Sequence, residues 1–115
     1  MGIQAFNMQG NTICINAATS PPTPKQAVTS GASGSGNQYE IINPGNVTVF
    51  IGAGPNAAAA TSNAVVLSSG GTSSSFTYPI LAGTDKVMTL PTGWYFTAIT
   101  ASGNTDIYIS PGDGM

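Results

Sequence analysis

From Phe76 to Ser110 the chain is a succession of short alternating runs, each closed by a turn rich in Gly, Pro or small polar residues, and that pattern belongs to β-strands. Phe76, Tyr78 and Ile80 alternate with Thr77, Pro79 and Leu81; Ala82 to Asp85 turns the chain; Lys86 to Leu90 alternates again; Pro91-Thr92-Gly93 turns it once more. Trp94 to Ala101 then reads as the first arm of a hairpin with Thr105 to Ser110, joined by Ser102-Gly103-Asn104. Ile107 and Ile109 share one face of that last strand, Asp106 and Tyr108 the other. Pro79 has no N–H to give a ladder, so its strand is expected at a sheet edge or a bulge.

Gln38 to Ala53 repeats the theme as two apolar runs around Asn43-Pro44-Gly45-Asn46. Pro presets φ for the first central position of a type II turn and Gly supplies the positive φ of the second, which predicts another hairpin. Tyr39 and Ile41 oppose Glu40 and Ile42 on one arm; Val47, Val49 and Ile51 oppose Thr48 and Phe50 on the other. Such a hairpin is marginal alone and needs a larger sheet to lie in.

The remainder of the chain is less regular. Thr12 to Asn16 is a strand candidate, and Thr19 to Pro24 is a loop or edge crossing, because each Pro removes a donor and restricts its predecessor. Gln26 to Ser30 extends briefly before the Gly31 to Gly36 loop. Gly52 to Ala60 leads into one helical turn, started by Asn56 or Pro55, or an ordered loop. Val65 to Leu67 is a further strand candidate, and Ser68 to Ser75 a long surface connection. Strands starting at Thr12, Gln38, Val47, Phe76, Lys86, Trp94 and Thr105, with Gln26 or Val65 as an eighth, predict an all-β fold. Many short strands joined by Gly/Pro turns mean a sandwich or a barrel, and eight in two sheets would be a jelly roll; the expected architecture is a small antiparallel β-sandwich, jelly-roll like, with long Gly/Ser-rich loops. It forms a single domain over residues 1–115, with residues 1–11 as either a core strand or an N-terminal arm.

At 115 residues one domain can bury roughly two thirds of its unfolded surface. Apolar residues make up 41 % of the chain and charged residues 5 %, against a usual charged share of about a quarter. Disorder outside the Gly/Ser tracts is therefore not expected. A free monomer keeps itself soluble with surface charge, so a chain with two lysines and four carboxylates points to a surface covered by copies of itself or by a partner. With no Arg and a net charge of −2, neither nucleic acid nor an anionic membrane is an expected partner. The N-terminus lacks the basic head and apolar run of a secretory signal. Phe6 stands where a myristoylation signal needs Ser or Thr. Cys14, alone between Ile13 and Ile15, predicts a buried thiol and no disulfide.

The chemistry-bearing motifs are thin. Gly52-Ala53-Gly54-Pro55-Asn56-Ala57 traces G-x-G-x-x-A, but a dinucleotide site needs a parallel βαβ unit and an acidic residue about 20 positions on. Pro55 sits inside the loop and the next carboxylate is Asp85, so a tight strand exit is expected and no cofactor. No His or Arg is present, and Glu40, Asp85, Asp106 and Asp113 are read as solvated, mostly turn residues; neither a catalytic pair nor a metal site is expected. Asn46-Val47-Thr48 matches a glycosylation sequon, which means little without a secretory signal.

Trp94, Tyr95 and Phe96 place rings on both faces of one strand. Trp94 and Phe96 share a face, with Tyr95 opposite, and the second face is a packing layer, an oligomer contact or a sugar-stacking platform. Phe6, Met8, Trp94, Tyr95 and Tyr108 are the candidate interface residues.

From Tyr39 to Met115, YEIINPGNVTVFIGAGPNAAAAT and YPILAGTDKVMTLPTGWYFTAITASGNTDIYISPGDGM resemble the small decoration, or cement, proteins of tailed-bacteriophage capsids. The likeness lies in the N-P-G turn, the G-x-G-P exit, the PILAG edge, the TAITASG segment and the PGDG end. The N-terminal third, including Thr19 to Pro24 and Gly31 to Gly36, falls outside it. The resemblance implies a jelly-roll sandwich without enzymatic activity, made in the host cytoplasm and carried on the outer capsid surface. Its implied partners are the major capsid protein and itself, as homodimer or homotrimer, and its implied role is to stabilise the mature head. The alternative is a fibre, spike or lectin-like module that binds host-surface glycans.

Overall fold

A computed structural model describes residues 7–8, 11–26, 38–67, 69–72, 76–91 and 93–113. Nine strands and one helix follow in order: β1 (Asn7–Met8), β2 (Ile13–Ala17), β3 (Lys25–Gln26), β4 (Gln38–Asn43), β5 (Val49–Gly54), α1 (Ala57–Asn63), β6 (Thr77–Ile80), β7 (Thr84–Thr89), β8 (Tyr95–Thr100) and β9 (Thr105–Asp113). They build the expected all-β fold of two antiparallel sheets. In the first sheet β9 lies beside β4, and β4 beside β7, while β1 and β2 share the other side of β9. The second sheet runs β3-β8-β5-β6.

Alternation decides which side chains meet between the sheets. Ile15 and Ala17 of β2, Tyr39 and Ile41 of β4, and Ile107 and Ile109 of β9 face Val49, Ile51 and Ala53 of β5, Ile80 of β6, and Phe96 and Ala98 of β8 in one core. At its centre the Tyr39 and Phe96 rings lie 5.0 Å apart at 58°. The Tyr39 hydroxyl leaves the apolar layer by donating to the Pro91 carbonyl at 2.8 Å, as a buried phenol must.

Neither expected hairpin forms. β4 pairs with β7 and β9, whereas β5 pairs with β6 and β8, so Pro44 to Thr48 carries the chain from one sheet to the other. Gly45 does not take the positive φ of a type II turn. It is needed for close approach, since a Cβ there would stand 1.9 Å from Thr105 Oγ1. Asn43, fully buried, takes the place of ladder bonds at this corner. Its Nδ2 donates to the carbonyls of Val47 at 2.8 Å and Ile80 at 3.1 Å, and its Oδ1 accepts from the Gly45 N–H at 3.1 Å. β8 and β9 likewise lie in different sheets, and Thr100 Oγ1 ties their corner by donating to the Gly103 carbonyl at 2.7 Å. From β2 onward every connection crosses between sheets except β5 to β6.

That exception carries α1. Asn56 caps it, accepting from the Ala59 N–H at 2.9 Å, as the sequence indicates. Gly52 lets the helix lie on β5: a Cβ there would come within 2.4 Å of the Ala64 nitrogen. The G-x-G outline therefore serves helix–strand contact and no phosphate loop. Val65 to Leu67 is not a strand, and β3 supplies the strand expected near Gln26. Pro79 does lie in an edge strand, β6, which pairs only with β5. The Gly31 to Gly36 loop expected from composition falls outside the described residues.

Candidate functional site

Two surfaces are candidates, and both follow from strand order. β6 and β7 are the last strands of their sheets and lie on the same side of the sandwich. Tyr78 and Ile80 stand opposite Ile51 and Val49, so they point inward, yet Tyr78 is still 37 % exposed because among the described residues no further strand covers it. Leu81 is 61 % and Phe76 52 % exposed. A groove of about 460 Å³ opens there, lined by Tyr78, Pro79, Leu81, Thr84, Asp85 and Lys86. A free strand edge with little charge is a site for further association.

The second surface is the outer face of the first sheet. Reading across it, Cys14 opposes Tyr108, Tyr108 opposes Ile42, and Ile42 opposes Asp85. Beside this row, Asn16 opposes Asp106, and Glu40 lies between Ser110 and Val87. Tyr108 and Val87 are exposed and Ile42 half-buried. Asn16 Nδ2 donates to Asp106 Oδ1 at 3.0 Å.

Asp85 is a strand residue of β7 and not the turn residue expected from AGTD; Glu40 and Asp106 likewise lie in strands. The Glu40 carboxyl is pushed above its ordinary value, first by partial burial and then by hydrogen bonding to Asp85 and by that group's negative charge. Paired carboxylates were not evident in the sequence, because Glu40 and Asp85 are far apart in the chain and meet only through β4–β7 register. Such a pair can serve as acid and base, but this one sits on an open sheet face. Among the described residues no three His, Cys, Asp or Glu side chains gather as a metal ion requires.

Cys14 is exposed and not buried. It lies on the outward phase of β2, between the core-packed Ile13 and the buried Ile15. Partial desolvation, followed by the Asp106 carboxylate, pushes its thiol up and outweighs the opposing effect of Lys25, so the reactive thiolate is scarce at neutral pH.

Of the five candidate interface residues, Phe6 lies outside the described residues. Met8 is in β1, its backbone paired with Gly112 on β9, which makes residues 7–8 a strand of the first sheet. The other three are not brought together. Trp94 turns inward onto the core and meets Phe76 edge to face at 4.9 Å and 86°. Tyr95 is half-buried, beside Gly54 and Gln26 of the second sheet. Tyr108 stands exposed, on the outer face of the first sheet. Sequence reasoning missed the exposure of Phe76, Tyr78, Leu81 and Val87; the Pro79 edge signal was the clue to the first three. Compared with protein-family models, curated proteins and solved structures, the chain finds no match in any of the three.

Proposed function

We propose that this protein is a non-catalytic capsid cement, carried on the outer surface of a phage head after synthesis in the bacterial cytoplasm. It binds the assembled major capsid protein and copies of itself, as a homodimer or homotrimer, and uses no cofactor, nucleic acid or membrane. The observation that carries this reading is the run of exposed apolar side chains, Phe76, Tyr78, Leu81 and Val87, along two open strand edges of a chain with only two lysines and four carboxylates. Surface of that kind is stable in water only when covered. We read the nested pairing of β2 with β9, β3 with β8, β4 with β7, and β5 with β6 as the wrapping of a jelly roll, which agrees with the resemblance from Tyr39 onward.

A protein that binds only the assembled lattice stabilises it by mass action, by about 2.7 kcal/mol per site when free protein stands at roughly 100 times its Kd. Copies joined through their own edges engage several capsid subunits at once, so weak contacts add in effect. The glycan-binding alternative keeps no observation of its own, because Trp94 packs against Phe76 and the core. The test is co-sedimentation with expanded and unexpanded heads, with the thermal midpoint of the shells read alongside. Selective binding to expanded heads with a raised midpoint supports the reading; a strict monomer with no affinity for either form refutes it.

A further inference from the structure

The outer face of the first sheet has a chemical character that the rest of the chain lacks. Three of the four carboxylates, Glu40, Asp85 and Asp106, belong to it, set around Tyr108, Ile42 and Val87. Neither lysine is on a strand position of this face. Lys86 occupies the opposite phase of β7, level with buried Ile41, and Lys25 sits on β3 of the second sheet, at the rim near Cys14, whose thiol it influences. Asp106 has Asn16 as a neutral donor. The influences that dominate Glu40 are burial and Asp85, with no cation among them. Two carboxylates held in contact oppose folding of the free protein, and such frustration persists where a binding partner relieves it.

A second copy of this chain does not fit as that partner. Face to face it adds three more carboxylates against two lysines, of which only Lys25 comes near the rim of the face. The complement is cationic, with aliphatic stems to cover Tyr108, Ile42 and Val87. Arginine supplies all of this: a planar fork for the Glu40–Asp85 pair, a cation for the Tyr108 ring and an apolar stem.

We propose that this outer face, centred on Tyr108 and bounded by Glu40, Asp85 and Asp106, docks on an arginine- or lysine-bearing protein surface. The inference rests on the cement reading for the partner's identity, which is then the assembled capsid lattice. The face on the lattice meets the β6–β7 groove at Asp85, and the Tyr78–Leu81 side of that edge is left for contact between copies.

The test uses the full chain and expanded heads of the phage that encodes it, in co-sedimentation over a series of NaCl concentrations. Wild type, Glu40→Gln, Asp85→Asn, Tyr108→Ala and, as a control off the face, Thr61→Ala on α1 are compared. Wild-type affinity is expected to fall as salt rises. Glu40→Gln and Asp85→Asn each weaken binding about tenfold and flatten the salt dependence, Tyr108→Ala weakens it without flattening, and Thr61→Ala leaves it unchanged. Glu40→Gln is also expected to raise the protein's own Tm, so that lost binding cannot be ascribed to lost folding. If wild type binds and the three face variants bind equally well, the inference is overturned while the cement reading stands. If wild type does not bind expanded heads at all, the cement reading fails and takes this inference with it.

Discussion

Replacing Asn43 by alanine tests how the chain crosses between its sheets. The side chain is fully buried and closes the corner with three short contacts, to the Val47 carbonyl at 2.8 Å, the Ile80 carbonyl at 3.1 Å and the Gly45 N–H at 3.1 Å, beside longer ones to the Leu81 carbonyl at 3.4 Å and Thr105 Oγ1 at 3.5 Å. Alanine removes all three and leaves their backbone partners short of a bond. At about 1 kcal/mol net for each, the loss is roughly 3 kcal/mol, and more if no water reaches the stranded groups. Unfolding entropy of about 2.1 cal/mol/K per residue converts this, for a chain of this size, to a fall in Tm of about 12 °C. Asn43→Asp keeps the acceptor for Gly45 but turns a negative charge on two carbonyls. Its folded-state pKa is therefore raised, and its stability falls as pH rises through that range. Urea and thermal denaturation at pH 7 and pH 4 read both effects. A loss below about 0.5 kcal/mol for Asn43→Ala, within the range of an ordinary surface change, would show that the corner is held by something else.

Three further outcomes follow from the packing. The pKa of Glu40 is raised above its ordinary value of 4.5, so the folded state holds the proton longer than the unfolded one and repulsion from Asp85 costs stability increasingly as pH rises from there. Glu40→Gln is expected to stabilise the protein at pH 7 and to do nothing near pH 3, where both states are protonated; thermal scans at the two pH values check this, and equal effects at both would refute it. Gly52→Ala drives a Cβ to 2.4 Å from the Ala64 nitrogen and 2.5 Å from the Ala60 carbonyl oxygen. Overpacking of this kind costs about 1–3 kcal/mol, visible as a lower urea midpoint, and an unchanged midpoint would mean that α1 does not rest on β5. Tyr39→Phe removes the hydroxyl, with its bond to the Pro91 carbonyl and its contacts to the Gly93 and Trp94 backbone, and is expected to cost at least about 1 kcal/mol by the same measurement, with the ring contact to Phe96 kept.

The faces of the strands were legible in the sequence, and their partners were not. Alternation grouped Tyr39 with Ile41, Val49 with Ile51, and Ile107 with Ile109, and the structure buries each of those faces, with Val47 of the same phase left half-buried, because a strand in a two-layer fold has one buried side whatever lies next to it. Asn56 and Pro79 also did what their chemistry indicates, one capping α1 and the other marking an edge. The turns misled. Asn43-Pro44-Gly45-Asn46 and Ser102-Gly103-Asn104 have the composition of hairpin loops, but a corner between sheets uses the same residues. What separates the two is Asn43 reaching Ile80 and Gly45 lying against Thr105, contacts made far along the chain. Cys14 misled for a related reason: its apolar neighbours suggested burial, yet Ile13 and Ile15 share the inward phase and leave it outside. The Glu40–Asp85 contact depends on the register of β4 against β7, which no local pattern records.

The cement proposal has a sandwich with so little charge and two open edges working embedded in a lattice. Copies counted on purified virions, by quantitative gel densitometry or by cryo-electron microscopy of the head, decide it. A capsid-bound role requires a stoichiometry fixed to the capsid repeat, with ordered density on the outer surface of every head. A few copies at one vertex or on the tail, or none on the head, would refute it.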